Sequence, residues 1–159
     1  MRAAVLTISD GVAAGPREDA SGALLTSLLE DDGFDVERRV VSDDADSITQ
    51  AIETLAAAAQ LVLTTGGTGV APRDVTPEAT LAALDREAPG IAQAIRADAI
   101  AKTPHGLLSR GVAGTRGATL IVNLPGSTGG CRDGYGVLRP ALEHALRLLT
   151  SETTEHAQT

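Results

Sequence analysis

Leu61-Val62-Leu63-Thr64-Thr65-Gly66-Gly67-Thr68-Gly69-Val70-Ala71-Pro72-Arg73-Asp74-Val75-Thr76-Pro77-Glu78 is the stretch from which the fold can be read. Gln60 to Thr64 has the length and composition of a buried strand. It stops at a glycine-rich turn, and a short loop with one arginine and one aspartate follows. Thr76-Pro77-Glu78 then reads as a helix start, with Thr as N-cap, Pro at the first helical position and an acid in the first turn. A strand that ends in bare backbone ahead of a helix is how α/β proteins build an anion site. Glycines let the backbone approach a ligand and adopt positive φ, and Thr64, Thr65 and Thr68 add hydroxyls. The stretch reads as a phosphate cradle. It is not a Walker A loop, because no Gly-Lys-Ser/Thr follows and the only lysine is Lys102. Nor does it satisfy Gly-x-Gly-x-x-Gly. A plain tight turn is the competing reading; Arg73 and Asp74 in the same loop favour a site.

Working outward, Arg2 to Ser9 reads as a buried first strand ending at the turn Ser9-Asp10-Gly11, and Gly11 to Arg17 as a loop. From Asp19 a helix carries Leu24, Leu25, Leu28 and Leu29 on one face until Gly33 stops it. Phe34 to Val41 is a second strand, Ser42-Asp43-Asp44 a turn, and Asp46 or Ser47 the cap of a helix with face Ile48, Ile52 and Leu55. Pro89 starts a helix carrying Ile91 and Ile95 that ends near Lys102. Leu107 to Thr115 and Ala118 to Leu124 read as a hairpin, hence one antiparallel strand in a mostly parallel sheet. Pro125 to Gly130 is a second glycine-rich turn, and the last helix runs to about Thr150 with Pro140 kinking or restarting it. Strands alternating with helices imply one three-layer α/β/α sandwich over residues 1–150, with 151–159 a polar, frayed tail. If the strands are parallel, Ser9-Asp10-Gly11, Thr65 to Gly69 and Pro125 to Gly130 share one edge of the sheet, where such folds collect ligands.

Composition narrows the function classes. The chain has 159 residues, enough for one domain with a real core, and is 43% apolar but only 1% aromatic. With Phe34 and Tyr135 its only aromatics, the core is aliphatic and no stacking platform for single-stranded nucleic acid exists. A net charge of −8 argues against nucleic acid and anionic membranes as partners. No apolar run spans a bilayer and Met1-Arg2 leads straight into a strand, so a cytoplasmic protein without a signal peptide is expected. The single Cys131 excludes an intrachain disulfide and a cysteine-only metal site.

A phosphate site without a P-loop lysine must neutralise charge by other means, and Mg²⁺ on one or two carboxylates does this. Asp43 and Asp74 both lie near strand ends. For Asp43 or Asp44, a helix-capping or turn role is the competing reading. Arg110, Arg116 and Arg132 could each reach phosphate or be solvated surface charges. His105 and His144 have no second ligand at metal spacing, and Cys131 has no basic partner, so none is read as functional.

Taken together, Thr64-Thr65-Gly66-Gly67-Thr68-Gly69 and Arg73-Asp74-Val75-Thr76-Pro77-Glu78-Ala79 resemble the signature of the MogA/MoaB family of molybdenum cofactor biosynthesis, to which the gephyrin G domain belongs. Ser9-Asp10, Leu108-Ser109-Arg110 and Asn123-Leu124-Pro125-Gly126-Ser127 extend the match over Val5 to about Leu149. The resemblance implies a molybdopterin adenylyltransferase that moves AMP from Mg-ATP to the terminal phosphate of molybdopterin. It implies catalytic roles and a Mg²⁺ site for Asp43 and Asp74, a homotrimer, and contact with the molybdenum-inserting enzyme. The substrate and phosphate contacts it points to are Ser9, Asp10, Thr65, Gly66, Gly67, Thr68, Gly69, Arg73, Ser109, Pro125, Gly126 and Ser127. One departure is Thr128-Gly129-Gly130 after that last turn, where extra glycines are expected to loosen the helix start. A non-catalytic molybdopterin carrier is the alternative. A flavodoxin-like redox module is disfavoured by the scarcity of aromatics.

Overall fold

A computed structural model describes residues 1–151; the rest of the expected C-terminal tail lies outside the described residues. Six strands form one sheet: β1 (Arg2–Ile8), β2 (Asp35–Val41), β3 (Leu61–Thr65), β4 (Arg86–Glu87), β5 (Ala113–Arg116) and β6 (Thr119–Leu124). Their spatial order is β2-β1-β3-β6-β5-β4. The first four in that order are mutually parallel, and β5 runs antiparallel to both of its neighbours. The expected α/β/α sandwich with one antiparallel strand is therefore the fold. The helices are α1 (Asp10–Ala13), α2 (Ala20–Asp31), α3 (Ala45–Ala56), α4 (Thr76–Ala83), α5 (Pro89–Lys102) and α6 (Thr128–Thr150), with a 3₁₀ turn at Pro104–Leu108.

Side-chain alternation along the strands builds the layers. Ala3 and Val5 of β1, Leu61 and Leu63 of β3, and Val122 and Leu124 of β6 pack with Leu25, Leu29, Leu142 and Leu146 of α2 and α6. The intervening Ala4, Leu6 and Ile8, with Val62 and Ile121, pack with Ile48, Ile52 and Leu55 of α3. Both faces of the central strands are covered, so these strands read as continuous apolar runs. Each fully buried leucine or isoleucine contributes about 1.5–3 kcal/mol of burial energy.

Register then positions the site. Thr7 pairs with Thr65, and Thr65 with Leu124, so β1, β3 and β6 end side by side. The three polar turns leave the sheet at one edge.

Several local expectations need correction. The segment expected as a loop from Gly11 opens with the helical turn α1, because Ser9 Oγ accepts from Val12 N–H. The cap of α3 is Asp44, extended at φ −121° and ψ 122°, whose carboxylate accepts from both the N–H and the hydroxyl of Ser47. Thr76 is already inside α4; its hydroxyl donates to Gly66 O at 2.9 Å instead of capping. Of the expected strand Leu107 to Thr115 only Ala113 to Thr115 pairs, in a strand that runs on through Arg116. Pro104 and the Thr103 cap start a 3₁₀ turn ahead of it. That turn lies so close to α5 that a Cβ on Gly106 would sit 2.5 Å from the Ala99 carbonyl carbon. The two-residue β4 has no apolar alternation to mark it. Helix α6 runs unbroken through Pro140, so the proline does not restart it. Its glycines do not loosen its start: Ser127 Oγ accepts from Gly130 N–H at 3.1 Å, and a Cβ on Gly130 would lie 2.5 Å from Pro125 Cγ.

Candidate active site

The glycine turn after β3 is clamped against its neighbours. Gly66 has φ +101°, and a Cβ there would sit 2.3 Å from the Ile8 carbonyl oxygen, so the turn crosses hard against the end of β1. Gly67 has φ +67° and lies under the Thr76 hydroxyl. Gly66 N–H donates to Leu124 O, and Thr65 Oγ1 donates to Pro125 O at 2.8 Å, which fastens this turn to the one after β6. The hydroxyls read as ligand donors at Thr64 and Thr65 are therefore spent inside the fold, Thr64 accepting from Asn123 Nδ2. What stays open is backbone. Among the described residues the N–H groups of Gly67, Thr68 and Gly69 have no partner, and neither do those of Gly126 and Ser127. Those of Gly126 and Ser127 stand at the N-terminus of α6, and free backbone N–H groups at a helix start or in a glycine turn are the donors from which anion sites are built.

Two clefts flank this backbone. One, of ≈ 460 Å³, is lined by Ser9, Asp43, Thr65, Gly66, Gly67, Asp74 and Gly126, and also by Arg17, Glu18 and Asp19. The other, of ≈ 450 Å³, is lined by Thr68, Gly69, Ser109, Pro125 and Ser127, and closed by Ala92, Ile95, Arg96 and Leu108. Asp10 and Arg73 line neither. Arg73 is taken up by Asp10, with Nε to Oδ2 at 2.6 Å and Nη2 to Oδ1 at 3.0 Å. Its guanidinium holds the Asp10 carboxyl below the usual carboxylate range, helped by the Asp43 N–H. Nothing in the spacing marks Arg17 or Asp19, nor Arg96, whose guanidinium shapes the second cleft by binding the carbonyls of Ser109 and Gly111.

Of the arginines weighed as phosphate ligands, Arg110 instead ties the loop together. It donates to Gly69 O at 2.7 Å and Asp74 O at 2.6 Å and pairs with Glu78, whose carboxyl it holds low. Arg116 sits at the β5–β6 turn, at the opposite end of the sheet, bound to Ala83 O and Glu53. Arg132 is exposed and lines neither cleft. Cys131 is buried against Thr65 and Pro125 O, and burial pushes its thiol up to about 11, so it is no nucleophile at neutral pH.

Asp43 and Asp74 are both half-buried on the wall of the first cleft. Asp43 Oδ2 accepts from Asp10 N–H at 2.9 Å, and Asp74 Oδ2 from Ala71 N–H at 3.0 Å. The Oδ1 of each has no donor among the described residues. A Cβ on Gly67 would meet Asp43 Oδ1 at 3.3 Å, and one on Gly69 would meet Asp74 Oδ2 at 2.9 Å, so both carboxylates lie against the glycine turn. Two carboxylates with one free oxygen each, beside open N–H groups, suit a hard cation that keeps waters and phosphate oxygens as its other ligands. No cluster of three or more His, Cys, Asp or Glu side chains exists among the described residues to hold a metal by protein ligands alone.

Fold and clefts define an α/β/α protein with a polar site over the carboxyl ends of three adjacent parallel strands. A family model described as a probable molybdopterin binding domain matches residues 4–144. The chain is 39% identical to the Drosophila melanogaster molybdenum cofactor synthesis protein cinnamon, over 94% of its own length and 26% of that protein. It is 40% identical to a Haemophilus influenzae protein named molybdopterin adenylyltransferase, over 79% of this chain and 66% of the relative. It thus spans about a quarter of the first relative and just under two thirds of the second. The crystal structure of the Thermus thermophilus molybdopterin biosynthesis enzyme MoaB superposes with a TM-score of 0.87 at 44% identity, covering 95% of this chain and 97% of that one. The chain belongs to the molybdopterin-binding domain family of MogA and MoaB, the proteins of molybdenum cofactor biosynthesis. No helix among the described residues is long and apolar enough to cross a membrane.

Proposed function

We propose that the chain is a molybdopterin adenylyltransferase, transferring AMP from Mg-ATP to the terminal phosphate of molybdopterin. The observation that carries this reading is the pair Asp43 and Asp74, each with an unengaged oxygen, lining the same cleft as Gly66 and Gly67. The name of the Haemophilus relative supports it. A terminal phosphate oxygen of molybdopterin attacks the α-phosphorus of ATP. The bond from that phosphorus to the bridging oxygen of the β-phosphate breaks, and pyrophosphate leaves with the electron pair.

The nucleophile is already anionic, so no strong general base is needed. The task of the site is positioning and charge stabilisation. The open N–H groups of Gly67 to Gly69 and of Gly126 and Ser127 orient phosphate oxygens. Mg²⁺, held by Asp43 and Asp74 when bound, supplies the positive charge that a P-loop lysine supplies elsewhere. The second cleft, with Ala92, Ile95 and Leu108 beside Ser109 and Ser127, suits a planar heterocycle with polar edges, which both substrates carry. A homotrimer and hand-over to the molybdenum-inserting enzyme belong to the same reading and rest on the family resemblance alone. Purified protein incubated with molybdopterin, ATP and Mg²⁺ is expected to give adenylylated molybdopterin and pyrophosphate in equal amounts. Pterin binding without either product would overturn the reading in favour of a carrier.

A further inference from the structure

Three loops far apart in sequence meet at one exposed ion pair. Asp10, after β1, and Asp43, after β2, hold each other reciprocally. Asp10 N–H donates to Asp43 Oδ2 at 2.9 Å, and Asp43 N–H donates to Asp10 Oδ1 at 3.0 Å. Arg73, after β3, grips the Asp10 carboxylate in bidentate fashion, and its Nη2 also reaches the Asp43 carbonyl at 3.3 Å. Asp43 has no helix-capping duty, since Asp44 caps α3. Among the described residues no side chain fixes its carboxylate; the Asp10 N–H alone does. Arg73 also immediately precedes Asp74 in the chain, so one guanidinium ties the loop carrying Asp74 to the turn carrying Asp43.

Bidentate arginine–carboxylate pairs add geometric specificity beyond their energy. The Arg73 side chain is 66% exposed, and an ion pair so exposed adds little to stability. Its evident use is geometric.

We propose that Asp10 and Arg73 are positioning residues for Asp43, with Arg73 acting through the Asp10 carboxylate and the Asp43 carbonyl and binding no substrate phosphate. This rests on the AMP-transfer reading for its catalytic consequence, though not for its structural one. Displacing a reacting group by about 1 Å costs up to roughly 100-fold in rate. Arg73→Ala is therefore expected to lower kcat by roughly 10–100-fold with KM for ATP unchanged. Arg73→Lys, a point charge without the fork, does not restore it. Asp10→Ala has a similar effect, and the Asp10→Ala/Arg73→Ala double variant is no worse than the poorer single variant, because the two act as one unit.

Multiplying effects in the double variant, or rescue by lysine with a raised KM for ATP in Arg73→Ala, would overturn the proposal in favour of a direct phosphate contact. A second measurement needs no activity. Amide exchange at Asp10 and Asp43, followed by NMR, is expected to quicken about tenfold in Arg73→Ala while the β3 amides stay protected. Unchanged exchange would mean that the pair positions nothing, whatever the transfer assay gives. An inactive wild type with quickened exchange would instead sink only the AMP-transfer reading.

Discussion

Asp43 and Asp44 are neighbours in different settings, and the difference lies in what each oxygen touches. Asp44 caps α3, and the Ser47 hydroxyl and N–H hold its carboxyl below the usual range. Asp43 keeps one oxygen free beside Gly67. A different aspartate shows how such bonding sets acid stability. Asp32 accepts from Tyr135 Oη at 2.7 Å and pairs with Arg139, joining the end of α2 to α6, and Arg139 first and Tyr135 second hold its carboxyl low. A depressed folded-state pKa stabilises the protein above the unfolded value of about 3.9, and that stabilisation is lost as pH falls through the folded value. Asp32→Asn should therefore lower the urea midpoint at pH 7, and its gap to wild type should close as pH falls below about 4. A gap constant from neutral pH into acid would contradict this. The sequence pattern singles out Asp74, which shares a loop with the glycines. It leaves Asp43 ambiguous, because the groups that orient it stand 33 and 30 residues away in chain order, where no local periodicity reaches.

At the scale of elements, legibility follows how local the determinants are. Strand β3 declares itself through five consecutive buried residues ending at glycine, and α5 through Pro89 and its aliphatic positions. The Pro104–Leu108 turn does not, because Leu107-Leu108 looks like strand sequence. Only the packing of Gly106 on α5 decides against it. β4 is invisible for the opposite reason: two exposed charged residues pair only because β5 lies beside them. The start of α6 combines both cases. Its glycines suggest a loose end, yet the Ser127 cap and the contact of Gly130 with Pro125 close it. Ser127→Ala is expected to cost about 1 kcal/mol, lowering the melting temperature by about 2–4 °C in thermal unfolding. An unchanged melting temperature would show that the cap does not hold this turn.

Over the whole molecule, the sheet separates two aliphatic cores and lines up three turns. The alternation of side chains along β1, β3 and β6 produces both results at once. Ile52→Ala on one face and Leu146→Ala on the other should each cost about 2–5 kcal/mol, and their double variant should cost the sum, because no contact is shared across the sheet. Strong non-additivity in denaturant unfolding would mean that the two cores are coupled through the strands. The same parallel register brings the glycine turn, Asp43 and Asp74 to one cleft; in a chain of net charge −8, the proposed phosphate binding would rest on local backbone donors and a cation. The most direct test follows label from α-³²P-ATP into molybdopterin with wild type, Asp43→Asn and Asp74→Asn side by side in Mg²⁺. Wild type should label the pterin, and each variant should fold normally and lose about 100-fold or more of the rate. Labelling by either variant at the wild-type rate, or none by the wild type, would contradict the account.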